Sequence, residues 1–539
     1  MDQHYEALPK TAANFVPLSP LSFLKRTSDI FPDRLALVYD DRRYTWSQVR
    51  ARICRLATAL KKRGIGKGDT VSIMATNTPE LYEAHFGVPM ADAVLNTINT
   101  RLEVETVSYI LDHSDAKVVF VDTAFSAVVS KALESIDRDI LVVDIVDAAG
   151  PGGDRIGETN YETFLGEGDP DYDWPGPADE WQALALNYTS GTSGRPKGVV
   201  YHHRGAYLMS MGTVAGWNLP QHPTYLYTVP MFHCNGWCHA WTMTMMAATI
   251  ICCRAVTAAA VYDAIRNHRI THFGGAPIVL SLLIDAPDDV KCSFDYKIDV
   301  LTAGAPPPAT ILEKTRALGF HVMQVYGLTE TYGHVTQALW REEWDDKDFA
   351  AQAELQSWQG VSFPMMETTA VIDRETGDLL PRDGESQGEI VIRGNAVMKG
   401  YYKAQDATAE SFKGGWFRTG DGAVWHQNGY IQIKDRLKDV IISGGENISS
   451  VEVEGILYRH PAVAAAAVVA KQDDKWGEVP CAFIELKPGQ NPGEDDIIAF
   501  CREHMAGFKR PKMVIFGEIP KTATGKIQKF ILREKARSL

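Results

Sequence analysis

From Ala36 to Gly327 short apolar runs alternate with amphipathic stretches, the habit of an α/β chain in which strands and helices take turns. Val49, Ile53, Leu56, Ala57 and Leu60 recur at helical spacing, and Thr45 stands where a capping side chain belongs, so a helix to about Lys62 is expected. Residues 71–74, 118–121, 140–143, 225–229, 249–252, 271–273, 300–302 and 322–326 read as buried strands. Several end at glycine or hydroxyl residues, where ligands of parallel sheets bind. The stretch 149–177 is acidic and rich in Gly and Pro, and reads as a surface excursion without a domain boundary. After Gly388 the pattern turns antiparallel: 390–393, then 423–427 and 430–434 around Asn428-Gly429, a hairpin turn pair. Beyond Lys438 a compact α+β unit is expected, with helices over 451–459 and 495–504 and strands over 463–470 and 482–486.

A chain of 539 residues exceeds what one core usually organises, so two or more domains are expected. Its 45% hydrophobic and 23% charged residues describe a globular, soluble protein. The net charge of -14 argues against a nucleic-acid partner, so an anionic ligand must meet a local basic cluster. Residues 1–20 mix charge and proline without an apolar run, which argues against a secretion leader. The most apolar stretch, 237–253, is broken by His239 and Thr242 and runs into Arg254; it reads as a buried helix leading into a strand, not a membrane span. Eight scattered cysteines suit a reducing cytoplasm, and the terminal Arg537-Ser538-Leu539 is not the Ser-Lys-Leu peroxisomal address. His233, Cys234, Cys238 and His239 could ligate zinc, but their aromatic and Met-rich surroundings favour reduced, buried thiols.

The chemistry concentrates in residues 188–198, Tyr-Thr-Ser-Gly-Thr-Ser-Gly-Arg-Pro-Lys-Gly. Gly191 and Gly194 let backbone N–H groups approach an anion; Thr189, Ser190, Thr192 and Ser193 add hydroxyl donors; Arg195 and Lys197 supply charge. That combination suits a polyphosphate, although a Gly- and Ser-rich surface turn has the same composition. It is not the common P-loop, which needs Gly-Lys followed by Ser or Thr; Lys197 is followed by Gly198, and Gly525-Lys526 by Ile527. Tyr326-Gly327-Leu328-Thr329-Glu330-Thr331 offers an aromatic for a flat base and a carboxylate for Mg²⁺. Residues 302–308 add a Gly-Pro-rich strand end, 416–421 a carboxylate after a glycine turn, 435–448 a charged run leading to Gly444-Gly445-Glu446, and 520–526 a lysine on a loop.

These motifs, in this order and spacing, resemble the adenylate-forming superfamily of acyl-CoA synthetases, peptide-synthetase adenylation domains and luciferases over nearly the whole chain. Residues 230–237, 302–308 and 444–448 look most like medium-chain acyl-CoA synthetases and plant-type acyl-activating enzymes, a neighbourhood that includes bacterial 3-methylthiopropionyl-CoA ligases. The resemblance implies an α/β fold: a large N-terminal domain of several subdomains over 1–437 and a small, mobile α+β domain over 438–539, hinged near Lys438. It implies a two-step ligase using ATP, Mg²⁺ and coenzyme A. A carboxylate attacks the α-phosphate to give acyl-AMP and pyrophosphate, and the CoA thiol then displaces AMP. Carried over by motif, Thr189, Ser190, Gly191, Thr192 and Lys197 hold the β- and γ-phosphates. Gly304, Ala305, Pro306, Tyr326 and Gly327 frame the adenine, Thr329 meets the α-phosphate and Glu330 the metal. Asp421 takes the ribose diol, Arg436 the ribose or phosphates, and Lys526 bridges carboxylate and α-phosphate. Gly444, Gly445, Glu446, Trp476, Phe508, Arg510 and Lys512 are the CoA candidates. Asp435 departs from the glycine that commonly precedes this arginine.

For the acid, amino-acid adenylation domains place an Asp where this chain has His233, so a free amino acid fits poorly and the histidine is expected at the pocket mouth. Acetate-specific relatives place a Trp where Gly327 stands, so the glycine implies room beyond two carbons. Trp237, Phe273, Gly274 and Gly275 are the candidate lining, with Trp237 limiting depth, although core packing would explain them equally. Short-to-medium aliphatic, thioether and small aromatic acids remain open, as do a luciferase-like or carrier-loading enzyme and an inactive nucleotide-binding regulator. Members of this superfamily are often homodimers.

Overall fold

The computed structural model describes residues 5, 7–189, 195–304, 307–436, 439–443, 446–473, 475–522 and 525–539. Among them the strands form four sheets. One runs, edge to edge, through Gly400–Tyr401, Gly198–His202, Ala183–Tyr188, Val94–Thr97, Thr70–Met74, Ala116–Asp122, Leu141–Ile145 and Thr159–Asn160. A second is built around parallel neighbours Phe320–Tyr326, Ile298–Thr302, His272–Gly275, Thr224–Tyr227, Thr249–Cys252 and Leu35–Tyr39. Their buried runs of Val, Ile, Leu and Phe are what parallel strands covered on both faces require. Met366–Ile372, Gly388–Gly394, Phe417–Trp425 and Ile431–Arg436 make an antiparallel sheet. After Val440, Ile441–Ser443, Glu446–Ile448, Val463–Asp473, Gly477–Leu486 and Met513–Phe516 form the last sheet, with helices Ser450–Leu457 and Glu494–His504 packed on its own core. The proposed pivot, Lys438, lies outside the described residues.

Local rules explain several elements. Thr45 and Gln48 form a reciprocal capping box on helix Trp46–Lys62, whose Val49, Ile53, Leu56, Ala57 and Leu60 are fully buried. The hairpin at Asn428-Gly429 differs from a two-residue turn: His426 N–H donates to Tyr430 O at 2.9 Å, and only Gly429, at φ 86°, enters the left-handed region. It is the three-residue connection that ends in a left-handed glycine.

The excursion over 149–177 is only partly a surface feature. Thr159–Asn160 adds an edge strand, and helix Tyr161–Gly166 buries Tyr161, Phe164 and Leu165. Tyr161 and Arg52 both bond the buried Glu83 carboxylate, which explains why polar composition misled: apolar anchors sit between the prolines. The two large sheets are tied at one end by Arg254, which follows strand Thr249–Cys252 and bonds the buried Asp122 at 2.8 Å and Asp147. Removing one partner of such a group leaves an uncompensated buried charge. Arg254→Met is therefore expected to cost about 3 kcal/mol or more, read as a lower denaturant midpoint for the large domain.

Candidate active site

The Gly- and hydroxyl-rich loop closes a β-hairpin, since Ala183–Tyr188 and Gly198–His202 pair antiparallel. At its neck Thr189 N–H donates to Lys197 O at 3.0 Å and Lys197 N–H to Thr189 Oγ1 at 3.2 Å. Ser190, Gly191, Thr192, Ser193 and Gly194 lie outside the described residues. Of the two cations, Arg195 lies over the Tyr109 ring at 5.3 Å and Lys197 over the Tyr401 ring at 4.8 Å. Tyr401 also donates to Glu330 Oε1 at 2.8 Å, so one side chain touches two candidate residues that are 133 positions apart. Sequence reading missed it, because nothing near residue 401 in the chain marks its neighbours.

Beside this hairpin, strand Phe320–Tyr326 delivers Tyr326, whose hydroxyl donates to Asp421 Oδ2 at 2.6 Å. Asp421 pairs in register with Arg436, whose Nε lies 3.4 Å from Asp421 Oδ1. Burial, reinforced by the Asp421 charge, pushes the Tyr326 phenol well above its ordinary range and keeps it a donor. Gly304 follows strand Ile298–Thr302 at φ 94°, a conformation that favours glycine, while Ala305 and Pro306 lie outside the described residues. Thr329 is held from both ends: its carbonyl accepts Tyr201 Oη–H at 2.6 Å, and Cys234 Sγ donates to its Oγ1 at 3.6 Å.

The acid side is built on an unusual backbone. Cys234, Asn235, Gly236, Trp237 and Cys238 all have φ between 41° and 61°, a left-handed turn made mostly without glycine. Such residues each carry strain on the order of 1–2 kcal/mol, so the surroundings must fix them. Asn187 does so twice, accepting Asn235 N–H at 3.1 Å and donating to Asn235 Oδ1 at 2.5 Å. Thr97 donates to Phe232 O at 2.8 Å, and Asn77 bonds Tyr227 O, Val229 O and Met231 N. Helix His239–Met245 starts only after this turn, a feature absent from the expected helix-to-strand run. The possible zinc residues diverge: Cys238 Sγ donates to Tyr332 O, and His239 Nδ1 bonds the Tyr225 hydroxyl at 2.6 Å. Among the described residues no three His, Cys, Asp or Glu converge on a metal-sized site.

The left-handed turn seats Trp237 between glycines. A Cβ on Gly274 would lie 3.2 Å from its ring, and one on Gly333 3.3 Å from its Cβ. Behind it sit His239, 5.9 Å away between ring centroids, and His334, 6.3 Å away, both fully buried. One expectation is corrected here. Phe273 faces the other side of its strand, packing edge-on against Phe320 in a separate core, because side chains alternate along a strand. At Gly327 a Cβ would meet the Gly333 carbonyl oxygen at 1.9 Å, so the backbone approaches closely at this glycine. Gly275 faces Val279, whose Cβ a side chain at 275 would meet at 2.9 Å.

In the C-terminal unit, Thr522 N–H donates to Lys526 O at 2.7 Å and Lys526 N–H to Thr522 Oγ1 at 3.1 Å, closing a tight turn. Gly525, at φ 79°, leaves no space for a Cβ, which would lie 2.4 Å from Ile278 on helix Pro277–Ile284 of the large domain. Lys526 is close enough to act electrostatically on His233, whose imidazole is pushed down to about 4, by burial first and the Lys526 charge second. The CoA candidates stand elsewhere: Trp476 is 46% and Phe508 43% exposed, so Trp476 is not packed away against the hinge. Lys509 pairs with Glu452 at 2.7 Å and Arg510 Nε reaches Met505 O at 3.4 Å. Glu446 pairs with Ser443 in a short ladder, and Lys512 N–H donates to Pro480 O. Gly444 and Gly445 lie outside the described residues. His233 is thus neutral at neutral pH; its NMR titration is expected near pH 4 and should move upward in Lys526→Met.

Comparison with known proteins places this geometry. The model of the AMP-binding enzyme family matches residues 24–402, and that of the AMP-binding enzyme C-terminal domain matches 452–526. The chain is 49% identical to the peroxisomal acetate/butyrate–CoA ligase AAE7 of Arabidopsis thaliana, covering 99% of this chain and 97% of that one. It is 44% identical to the 2-methylpropanoate–CoA ligase CCL4 of Humulus lupulus, covering 99% and 98%. Among solved structures, o-succinylbenzoate CoA synthetase from Bacillus subtilis with its acyl-adenylate OSB-AMP superposes at a TM-score of 0.79, with 26% identity and 95% and 97% of the two chains covered. The same enzyme with ATP and a magnesium ion superposes at 0.80, with 25% identity and 94% and 98% covered. A match of this extent, across both parts of the chain, shows that the protein belongs to the AMP-binding enzyme family.

Proposed function

We propose that this protein is an AMP-forming acid–thiol ligase. It joins a short carboxylic acid to AMP with release of pyrophosphate, and then transfers the acyl group to the thiol of coenzyme A. The observation that carries this reading is Lys526 within electrostatic reach of His233, on a turn whose Gly525 abuts Ile278 of the large domain, at the acid side of a site whose other end holds Lys197 and Glu330. The barrier to adenylation is the approach of two anions, the carboxylate and the α-phosphate. A positioned ammonium lowers it by orientation and by stabilising the charge that accumulates. A neutral His233 beside that ammonium adds no second positive charge and leaves a polar wall for the carboxylate.

The nucleotide end follows the same logic. Lys197 meets the departing pyrophosphate, the Tyr326–Asp421–Arg436 cluster offers a ring for the base and a buried carboxylate for the ribose, and Thr329 stands at the α-phosphate. The residues present fit magnesium, which is held by one or two carboxylates together with substrate phosphates: Glu330 supplies such a carboxylate, and Thr189 and Thr329 are neutral oxygen donors. When bound, the ion neutralises charge on the phosphate oxygens. In the second half-reaction the exposed Trp476 and Phe508 are the surfaces for CoA, brought over by rotation near Lys438. Eight free thiols suit work in a reducing compartment.

The acid is short. Trp237 fills the space between Gly274 and Gly333, and His239, His334 and Trp217 pack behind it. Acids such as acetate, butyrate and 2-methylpropanoate, the namesakes of the relatives, head the list. Pyrophosphate release across an acid panel, with and without CoA, tests the reading. CoA-dependent thioester supports it, whereas ATP binding without turnover points to a regulator and overturns it. Lys526→Ala is expected to slow acyl-AMP formation about a hundredfold or more while sparing thioester formation from supplied acyl-AMP. Trp237→Ala is expected to raise the hexanoate-to-butyrate ratio of kcat/KM about tenfold, measured by the same assay.

A further inference from the structure

Tyr401 has no place in the reading above, yet it contacts both cation-handling groups of the nucleotide end. Its hydroxyl donates to Glu330 Oε1 at 2.8 Å, and the Lys197 ammonium sits 4.8 Å from its ring centroid. Neither contact is incidental to a wandering side chain. Strand Gly400–Tyr401 pairs with Gly198–His202, placing Tyr401 opposite Val199, two residues beyond Lys197. Tyr402 N–H donates to Gly198 O at 2.7 Å, Lys399 N–H to Val200 O at 2.8 Å, and Met398 N–H to Glu330 O at 2.7 Å. Tyr401 N–H itself donates to Thr408 Oγ1 at 2.9 Å, on helix Gln405–Ser411. The segment 398–402 therefore laces the root of the phosphate hairpin to the turn that carries Glu330.

We propose that Tyr401 is a positioning residue with two separable functions: its hydroxyl orients the Glu330 carboxylate toward the divalent cation of MgATP, and its ring face holds the Lys197 ammonium toward the phosphates. The hydrogen bond engages Oε1 and would leave Oε2 for the cation, as outer partners of a metal ligand fix that ligand's orientation. The cation–π contact restrains a four-carbon side chain that otherwise samples many rotamers. The proposal rests on the reading that Lys197 and Glu330 serve a magnesium nucleotide. A tyrosine that only filled space would be replaced by phenylalanine without consequence.

The test is equilibrium ATP binding to the purified full chain, by calorimetry, without acid or CoA, in Mg²⁺ or in EDTA. Tyr401→Phe keeps the ring and removes the hydroxyl. It is expected to lose about tenfold of the Mg²⁺-dependent gain in affinity and to match the wild type in EDTA. Tyr401→Leu removes both contacts and should weaken binding severalfold in EDTA as well. In a Glu330→Gln background, Tyr401→Phe should add nothing, because the hydroxyl acts through that carboxylate. Retention of the full Mg²⁺ effect by Tyr401→Phe, or an equal loss in Mg²⁺ and EDTA, overturns the proposal. Should Tyr401→Phe fail to fold, Thr408→Val, which frees the Tyr401 backbone, must reproduce the Mg²⁺-selective loss; if it does not, the proposal fails. Absence of MgATP binding by the wild type would instead overturn the nucleotide reading beneath it.

Discussion

The acid side of this molecule depends on five consecutive residues, Cys234 to Cys238, held in a left-handed turn that L-amino acids resist. The strain persists because the turn and the segment leading into it are gripped from the opposite sheet: buried Asn187 bonds Asn235 in the turn, while buried Asn77 and Thr97 fix the preceding residues 227–232. These three residues follow or occupy strands of one sheet, while the turn follows a strand of the other. Sheet docking and pocket geometry are therefore one event. His233 and Trp237, at either end of the turn, acquire their positions only when the two sheets have come together.

The nucleotide end is organised differently, by strands arriving from far along the chain. The hairpin around the phosphate loop gains a third strand from Gly400–Tyr401, and Asp421 meets Arg436 and Tyr326 through strand register. Here the ladder sets the positions, and side chains carry the charge. Rigidity comes from sheet pairing, and Gly525 against Ile278 adds the C-terminal unit as the last component.

How much of this was legible in the sequence depends on range. Where a signal is contiguous, as in the Thr45 cap, the buried strands or the motif of residues 188–198, local chemistry is sufficient to read it. Where geometry is set by a distant partner, it is not. Nothing beside Gly327 announces that the Gly333 carbonyl will press on its α-carbon, and nothing around Tyr401 announces Glu330 and Lys197. The left-handed turn was hidden because only Asn235 and Gly236 among its five residues favour such a backbone. Helix Tyr161–Gly166 was hidden by the prolines and acids that flank it.

Strand His272–Gly275 divides its labour by parity. His272 and Gly274 look to one side, His272 lying edge-on to Trp217 and Gly274 beside Trp237, whereas Phe273 looks into a separate core with Phe320. Two packing environments thus meet alternate positions of a single four-residue segment. A change at 274 therefore bears on the seat of Trp237, while 273 continues to anchor the sheet. That Trp237 and the Phe320 core can be served by neighbouring residues is, at this strand, a consequence of the two-residue repeat of the extended chain.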